Sequence, residues 1–156
     1  MILAVAVLAL TAYGTAIAQE YATYVNEQYG YEVKYPKGVF TPLEGAESGN
    51  GAIFMAAEKD ADIRVNANKD VFNTGLKYEY EDLLGPEVVE KTYNEKAGWF
   101  AVKSLKDTSI VYVKKILKDG VYYTLEIEYP YDIRSEINPM VKVISDSFRV
   151  LPKSAN

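Results

Sequence analysis

The sequence predicts an α+β fold, an antiparallel sheet of six or seven strands with helices packed on its faces. Three observations carry this. Residues 98–130 hold three runs of strand-type residues separated by two turn signals, Lys106-Asp107-Thr108-Ser109 and Lys118-Asp119-Gly120, the pattern of consecutive antiparallel strands joined by hairpins. In the third run Val121, Tyr123, Leu125, Ile127 and Tyr129 share one face, and Tyr122, Thr124, Glu126 and Glu128 share the other. That period-two split sets five apolar or aromatic side chains against a core and leaves the carboxylates in water. The middle run, 110–117, is apolar on both faces, with Ile110, Tyr112 and Ile116 opposite Val111, Val113 and Leu117. A strand of that kind needs cover on both sides, so helices or loops are expected on each face of the sheet.

The first eighteen residues read as a signal peptide rather than as part of the fold. They carry no charged side chain, hold an apolar block over 2–10 and end in Ala16-Ile17-Ala18, the small-x-small pattern of a cleavage site. The block is too short to span a bilayer. No Lys or Arg precedes Lys34, so the usual basic start of such a leader is missing. Residues 19–156 then have the length of one domain, large enough to bury a core without disulfides.

Residues 20–28 are polar and read as a lead-in or a single helical turn. Over 29–36, Tyr29, Tyr31, Val33 and Tyr35 alternate with Glu32 and Lys34, which is a half-buried strand; Pro36 stops it and Lys37-Gly38 turns the chain. Phe40 and Leu43 are expected to tuck under the core. Residues 45–51, GAESGNG, have the composition of a loop. A second hairpin is expected from 52–57 and 63–67, turning at Lys59-Asp60-Ala61-Asp62, with 69–73 as a connection. Thr74 is placed to cap a helix carrying Leu76, Tyr80, Leu83 and Leu84, ended by a left-handed Gly85 and by Pro86. Residues 88–93 make another strand, turned at Lys96-Ala97-Gly98. After Pro130, Ile137, Met140, Val141, Ile144 and Phe148 recur at helical spacing, with Asn138 as N-cap, Pro139 as first helical residue and an end near Ser147. Residues 151–156 read as a frayed tail.

Composition narrows the chemistry. With no His and no Cys, nucleophile–base pairs built on those residues, transition-metal sites and a lipidated cysteine are absent. The net charge of −5 is dispersed and no basic stripe occurs, so neither nucleic acid nor an anionic membrane is an expected partner. No cofactor motif is present. Glu126 and Glu128 lie on one strand face with about 7 Å between Cα atoms; this is near the spacing of a glycosidase pair, but two acids on one strand are more simply its wet face. Asp60, Asp62, Asn66, Asn68 and Asp70 could gather round calcium. They lack the glycine and the final glutamate of an EF-hand loop, and Asp60 and Asp62 read as turn residues. Glu79, Glu81 and Asp82 read as the solvated side of the first helix.

The 14 Tyr against one Trp are the best functional clue. Tyr29, Tyr31, Tyr35, Tyr122, Tyr123, Tyr129 and Tyr131 lie on or beside strands, where aromatic residues pack well. Tyr122 and Tyr131 fall off the expected core face or past the strand end, and are the candidates for a binding surface.

Three segments resemble the PsbP-like family, named for an extrinsic subunit of photosystem II. Residues 29–36 are similar to its first strand, an aromatic-Gly-aromatic run ending in Tyr-Pro. Residues 121–128, VYYTLEIE, resemble the strand in which a Gly-Lys/Val-Tyr-Tyr run leads into alternating apolar residues. Residues 143–150, VISDSFRV, resemble the closing helix and its Ser-Phe-x-Val exit. The resemblance implies an antiparallel sheet sandwiched by helices. It also implies an exported, non-enzymatic accessory protein, secreted or periplasmic, that docks onto another envelope or secreted protein. The basic docking region of the photosystem II subunit has no counterpart before Lys34, so that role is not carried over. A small-ligand or glycan-binding module using the Tyr-rich surface is the alternative, and a carboxylate-based hydrolase the weakest reading.

Overall fold

The computed structural model describes residues 18–43 and 49–153. The leader up to Ile17, most of the 45–51 loop and the last three residues lie outside them. The first strand, β1 (Tyr21–Asn26), is where a polar lead-in was expected. It pairs antiparallel with β2 (Tyr31–Pro36) in full register, Tyr21 opposite Pro36 and Asn26 opposite Tyr31. Only Thr23 and Asn26 of this segment are polar, and Tyr24 points inward to meet the rings of Tyr31 and Phe54 edge-on, at 6.1 and 5.7 Å. Asn26 closes the hairpin, its side-chain oxygen accepting from the amide of Tyr29 at 2.9 Å. In β2, Tyr31 and Val33 are wholly buried as the alternation demands.

Past Gly38, Phe40 enters the core, whereas Leu43 stays 45% exposed and does not. The short β3 (Thr41–Pro42) lies on β4 (Gly51–Ala56), which forms a hairpin with β5 (Ala61–Lys69). Its turn is a 3-10 segment ended by Asp60 at φ 50°. Gly51 is required where β4 meets β5, since a Cβ there would lie 2.1 Å from the carbonyl oxygen of Val65.

The helix α1 (Leu76–Asp82) follows. Gly75 stands at its N-cap and no side chain caps it; Thr74 is engaged elsewhere. The helix ends at a right-handed Leu83, and Gly85 lacks the left-handed conformation expected of it. Leu76 is buried against Phe100 and Val102, with Tyr80, Leu83 and Leu84 packed round them.

The meander stands as read, preceded by β6 (Val88–Asn94): β7 (Trp99–Lys106), β8 (Ser109–Lys118) and β9 (Val121–Pro130). Asp107 (φ 53°), Asp119 (φ 52°) and Gly120 (φ 71°) supply the left-handed turn positions. The strand β9 inserts beside β5, and the large sheet has the order β3-β4-β5-β9-β8-β7-β6 with every neighbour antiparallel.

The last helix, α2 (Arg134–Ser147), begins four residues before the expected N-cap and runs through Pro139. Burial of Ile137 at 0% exposure anchors that early turn, so packing overrides the local start signal. After Phe148 the chain forms β10 (Arg149–Val150), which pairs with β2; the amide of Leu151 also donates to the carbonyl of Gly30 at 2.7 Å. The small sheet, in the order β1-β2-β10, and α2 cover one face of the large sheet through a core containing Val33, Phe54, Ile63, Leu125, Ile127 and Ile144. On the opposite face α1 covers the β7 region. The seven-stranded antiparallel sheet with helices on both faces is the expected α+β sandwich.

Candidate functional site

Tyr122 is not presented to solvent. It is 8% exposed, on the side of β9 away from the main core, because the 70–75 loop and α1 cover that face. Its hydroxyl donates to Asp70 Oδ2 at 3.1 Å and lies 3.1 Å from Thr74 Oγ1, which donates to the same carboxylate. Lys115 Nζ stands 5.4 Å from the ring centroid and pairs with Glu79 of α1.

This tyrosine is the floor of a clamp. The Asp70 carboxylate accepts from the amides of Thr74 (3.0 Å) and Gly75 (3.1 Å), from Thr74 Oγ1 (3.2 Å) and from Tyr122. Desolvation alone would push the carboxyl pKa up; these four donors outweigh it and hold the group below the usual carboxylate range. The amide of Asp70 donates to the carbonyl of Gly120 at 2.9 Å, and Asn73 takes φ 51°. The loop is therefore tied at its base, and its two apolar residues face water: Val71 is 74% exposed and Phe72 86%. Tyr78, on α1, is also exposed. From the sequence, 69–73 is expected only as a connection. The available signal was two consecutive apolar residues, Val71-Phe72, between turn-forming Asp70 and Asn73.

Tyr131 is 43% exposed, just past the end of β9. Arg134 lies over its ring at 3.9 Å, and its guanidinium donates to the Tyr131 carbonyl at 2.9 Å. A hollow of about 410 Å³ beside it is lined by Asp60, Asp107 and Asp132, among others. The two candidate tyrosines sit at opposite ends of a ten-residue strand, roughly 30 Å apart. They do not form one surface.

The other tyrosines hold the interior together. Tyr31 donates to the carbonyl of Asn50 (2.8 Å), Tyr129 to Asn138 Oδ1 (2.6 Å) and Tyr123 to the carbonyl of Tyr29 (3.3 Å). Burial pushes the Tyr129 hydroxyl up to about 12, with the charge of Glu90 adding to it.

The carboxylates do not face each other across a cleft. Arg64 Nη1 reaches Glu126 at 2.9 Å and Glu128 at 3.9 Å, while Nη2 holds Asp62 Oδ2 at 2.7 Å. The residues considered for calcium are similarly committed to separate tasks. Asp60 makes the turn, Asn68 donates to Asn66 at 2.7 Å, and Asp70 holds the clamp. Among the described residues no group of three acids is arranged to hold a metal ion, and no helix is long and apolar enough to cross a membrane.

No family model matches the chain, and no curated protein matches it in sequence. Solved structures do match. The Ran-binding protein Mog1p of Saccharomyces cerevisiae superposes with a TM-score of 0.63 at 12% identity, over 88% of this chain and 98% of that one. Cyanobacterial PsbP (CyanoP) of Synechocystis sp. PCC 6803 superposes with a TM-score of 0.57 at 17% identity, over 90% and 98%. A Bacteroides thetaiotaomicron protein gives 0.58 at 10% identity, over 85% of this chain and 49% of its own. At such identities the likeness speaks to the fold, and the chain has the fold that PsbP and Mog1p share.

Proposed function

We propose that this protein is an exported, non-catalytic accessory domain that binds another protein, and that the Val71-Phe72 tip with Tyr78 is its docking face. The observation that carries the reading is Phe72, 86% exposed on a loop clamped from beneath by Asp70, Thr74 and Tyr122. An apolar side chain held out in water by an ordered backbone loses little further entropy on docking, and such anchors dominate interface energetics. Tyr122 acts here as the brace for the tip; Tyr131 lies at the far end of β9 and is given no role. Support for protein binding also comes from Mog1p, a Ran-binding protein of the same fold. Export rests on the leader-type sequence of residues 1–18. The absence of catalysis rests on the engagement of Glu126 and Glu128 with Arg64.

The test is site-specific photo-crosslinking in producing cells. A photoreactive residue at position 72 should give a discrete adduct in the envelope or secreted fraction. One at Lys106, in the distant β7–β8 turn, should not. Equal labelling from both positions, or none from position 72, would sink the proposal.

A further inference from the structure

The face of the large sheet that α2 and the small sheet cover is not covered to its edge. Cross-strand partners identify the strip left open: Trp99 lies opposite Ile116, Ala101 opposite Lys114 and Lys103 opposite Tyr112, in line with core-facing Tyr123, Leu125 and Ile127 of β9. Between this strip and the C-terminal end of α2 lies a cleft of about 210 Å³, bordered by Trp99, Tyr112, Lys114 and Ser145. It lies on the opposite face of the sheet from α1, the helix that carries Tyr78 of the proposed docking face.

Lys114 sits at its centre. Its Nζ donates to the Ser145 carbonyl at 2.7 Å, in the last turn of α2, which also accepts from the Phe148 amide at 3.3 Å. The Nζ bond explains one of the three hydrogens of an ammonium. Among the described residues no other group accepts from it and no carboxylate pairs with it. The nearby charges are otherwise balanced. Lys103 holds Glu90 at 3.0 Å, and Asp146 is held by Lys142 at 2.6 Å. Burial pulls the Lys114 pKa below the ordinary lysine value, against the opposing pull of Asp146. Beside it, Tyr112 and Ser145 share one hydrogen bond of 2.6 Å. Two hydroxyls with one mutual bond leave one hydrogen to donate. The Trp99 ring forms the wall, its centroid 5.3 Å from Nζ.

A half-buried cation with free donors, a spare hydroxyl and an indole wall converge in a space below the 300–1,000 Å³ usual for drug-sized ligands. We infer that this cleft binds a small aromatic carboxylate, with the carboxylate on Lys114 and the Tyr112–Ser145 hydroxyls and the flat ring against Trp99. One half-buried cation at the centre of the cleft suits a monoanion better than a phosphate dianion. Lysine rather than a neutral helix cap is then needed at 114 for the ligand as well as for α2.

Trp99 is the only tryptophan, so its emission reports this cleft directly. Titrating the protein with benzoate and 4-hydroxybenzoate should give a saturable change, at least tenfold weaker for benzamide, which has the same shape without the charge. Lys114→Gln retains a donor for the Ser145 carbonyl but no charge, and should weaken benzoate at least tenfold while leaving the melting temperature near that of the wild type. Lys106→Gln, at the end of β7 away from Trp99, should bind as the wild type does and controls for general loss of charge. The inference is overturned by any of three results: no saturable response to either carboxylate, an equal response to benzamide, or undiminished benzoate binding by folded Lys114→Gln. A response to inorganic phosphate alone overturns it too.

Discussion

At the scale of single residues, Asp62 shows what burial does to a charge. It lies on the outer face of β5, with Oδ2 on Arg64 and Oδ1 buried without a hydrogen-bond partner among the described residues. Desolvation raises its pKa; Arg64 pulls it back, while Glu128 and Glu126 push it further up. An acid whose folded pKa exceeds its unfolded value favours the fold when protonated. That contribution is complete below the unfolded value near 4 and is lost as pH rises through the folded pKa. Asp62→Asn should therefore be more stable than the wild type at pH 7 by about 1 kcal/mol, a small figure because Arg64 is half-exposed and the pair is screened. Urea midpoints measured from pH 3 to pH 7 should show the advantage growing with pH; a pH-independent difference would refute the assignment. The alternation that places Asp62 beside Arg64, Glu126 and Glu128 is legible in each strand separately. That all four acids and bases share one patch depends on β9 pairing with β5.

At the scale of elements, α2 shows where local signals lose. Asn-Pro is a good helix start, and the sequence reading placed one at Asn138-Pro139. In the structure the helix starts at Arg134 and passes through Pro139. The ring removes the bond to the Ser135 carbonyl and crowds it, yet Ile137 must be buried one turn earlier. Both Ser135 and Pro139 are solvent-exposed, so water can serve the freed carbonyl. Pro139→Ala restores the bond and should stabilise by about 1–3 kcal/mol, read as a higher urea midpoint with an unchanged m-value. A lower midpoint would mean that the proline limits the unfolded chain more than it strains the helix. The strand β1 is the opposite case. Its apolar residues fall on both faces, Ala22 and Tyr24 on one and Tyr21 and Val25 on the other, so the inward face is fixed only once Tyr24 has Tyr31 and Phe54 to pack on.

At the scale of the whole molecule, the tyrosine content finds its main use as mortar between sheets. Tyr24, Tyr31 and Tyr35 from the small sheet meet Phe54 and Tyr123 from the large one, and Phe148 at the end of α2 closes on Tyr31 with centroids 6.0 Å apart. Phe148→Ala opens that junction and should cost about 3–5 kcal/mol. Because the cluster joins both layers, Trp99 emission from the large sheet and far-UV circular dichroism from the whole should shift together in urea. Separate transitions would show that the small sheet unfolds by itself. The sequence alone determined the meander, its turns, the inward face of β9, the α+β class and the fold resemblance. These rest on alternation and turn chemistry that operate within a few residues. The tertiary structure decided that Tyr122 is a buried brace and Phe72 an exposed tip, that α2 starts early, and that Lys114 borders a cleft. Each of these depends on what lands on a given face, through contacts such as Tyr122 to Asp70 across 52 residues. Periodicity marks a face as apolar or polar, but only the packed chain determines which faces remain uncovered.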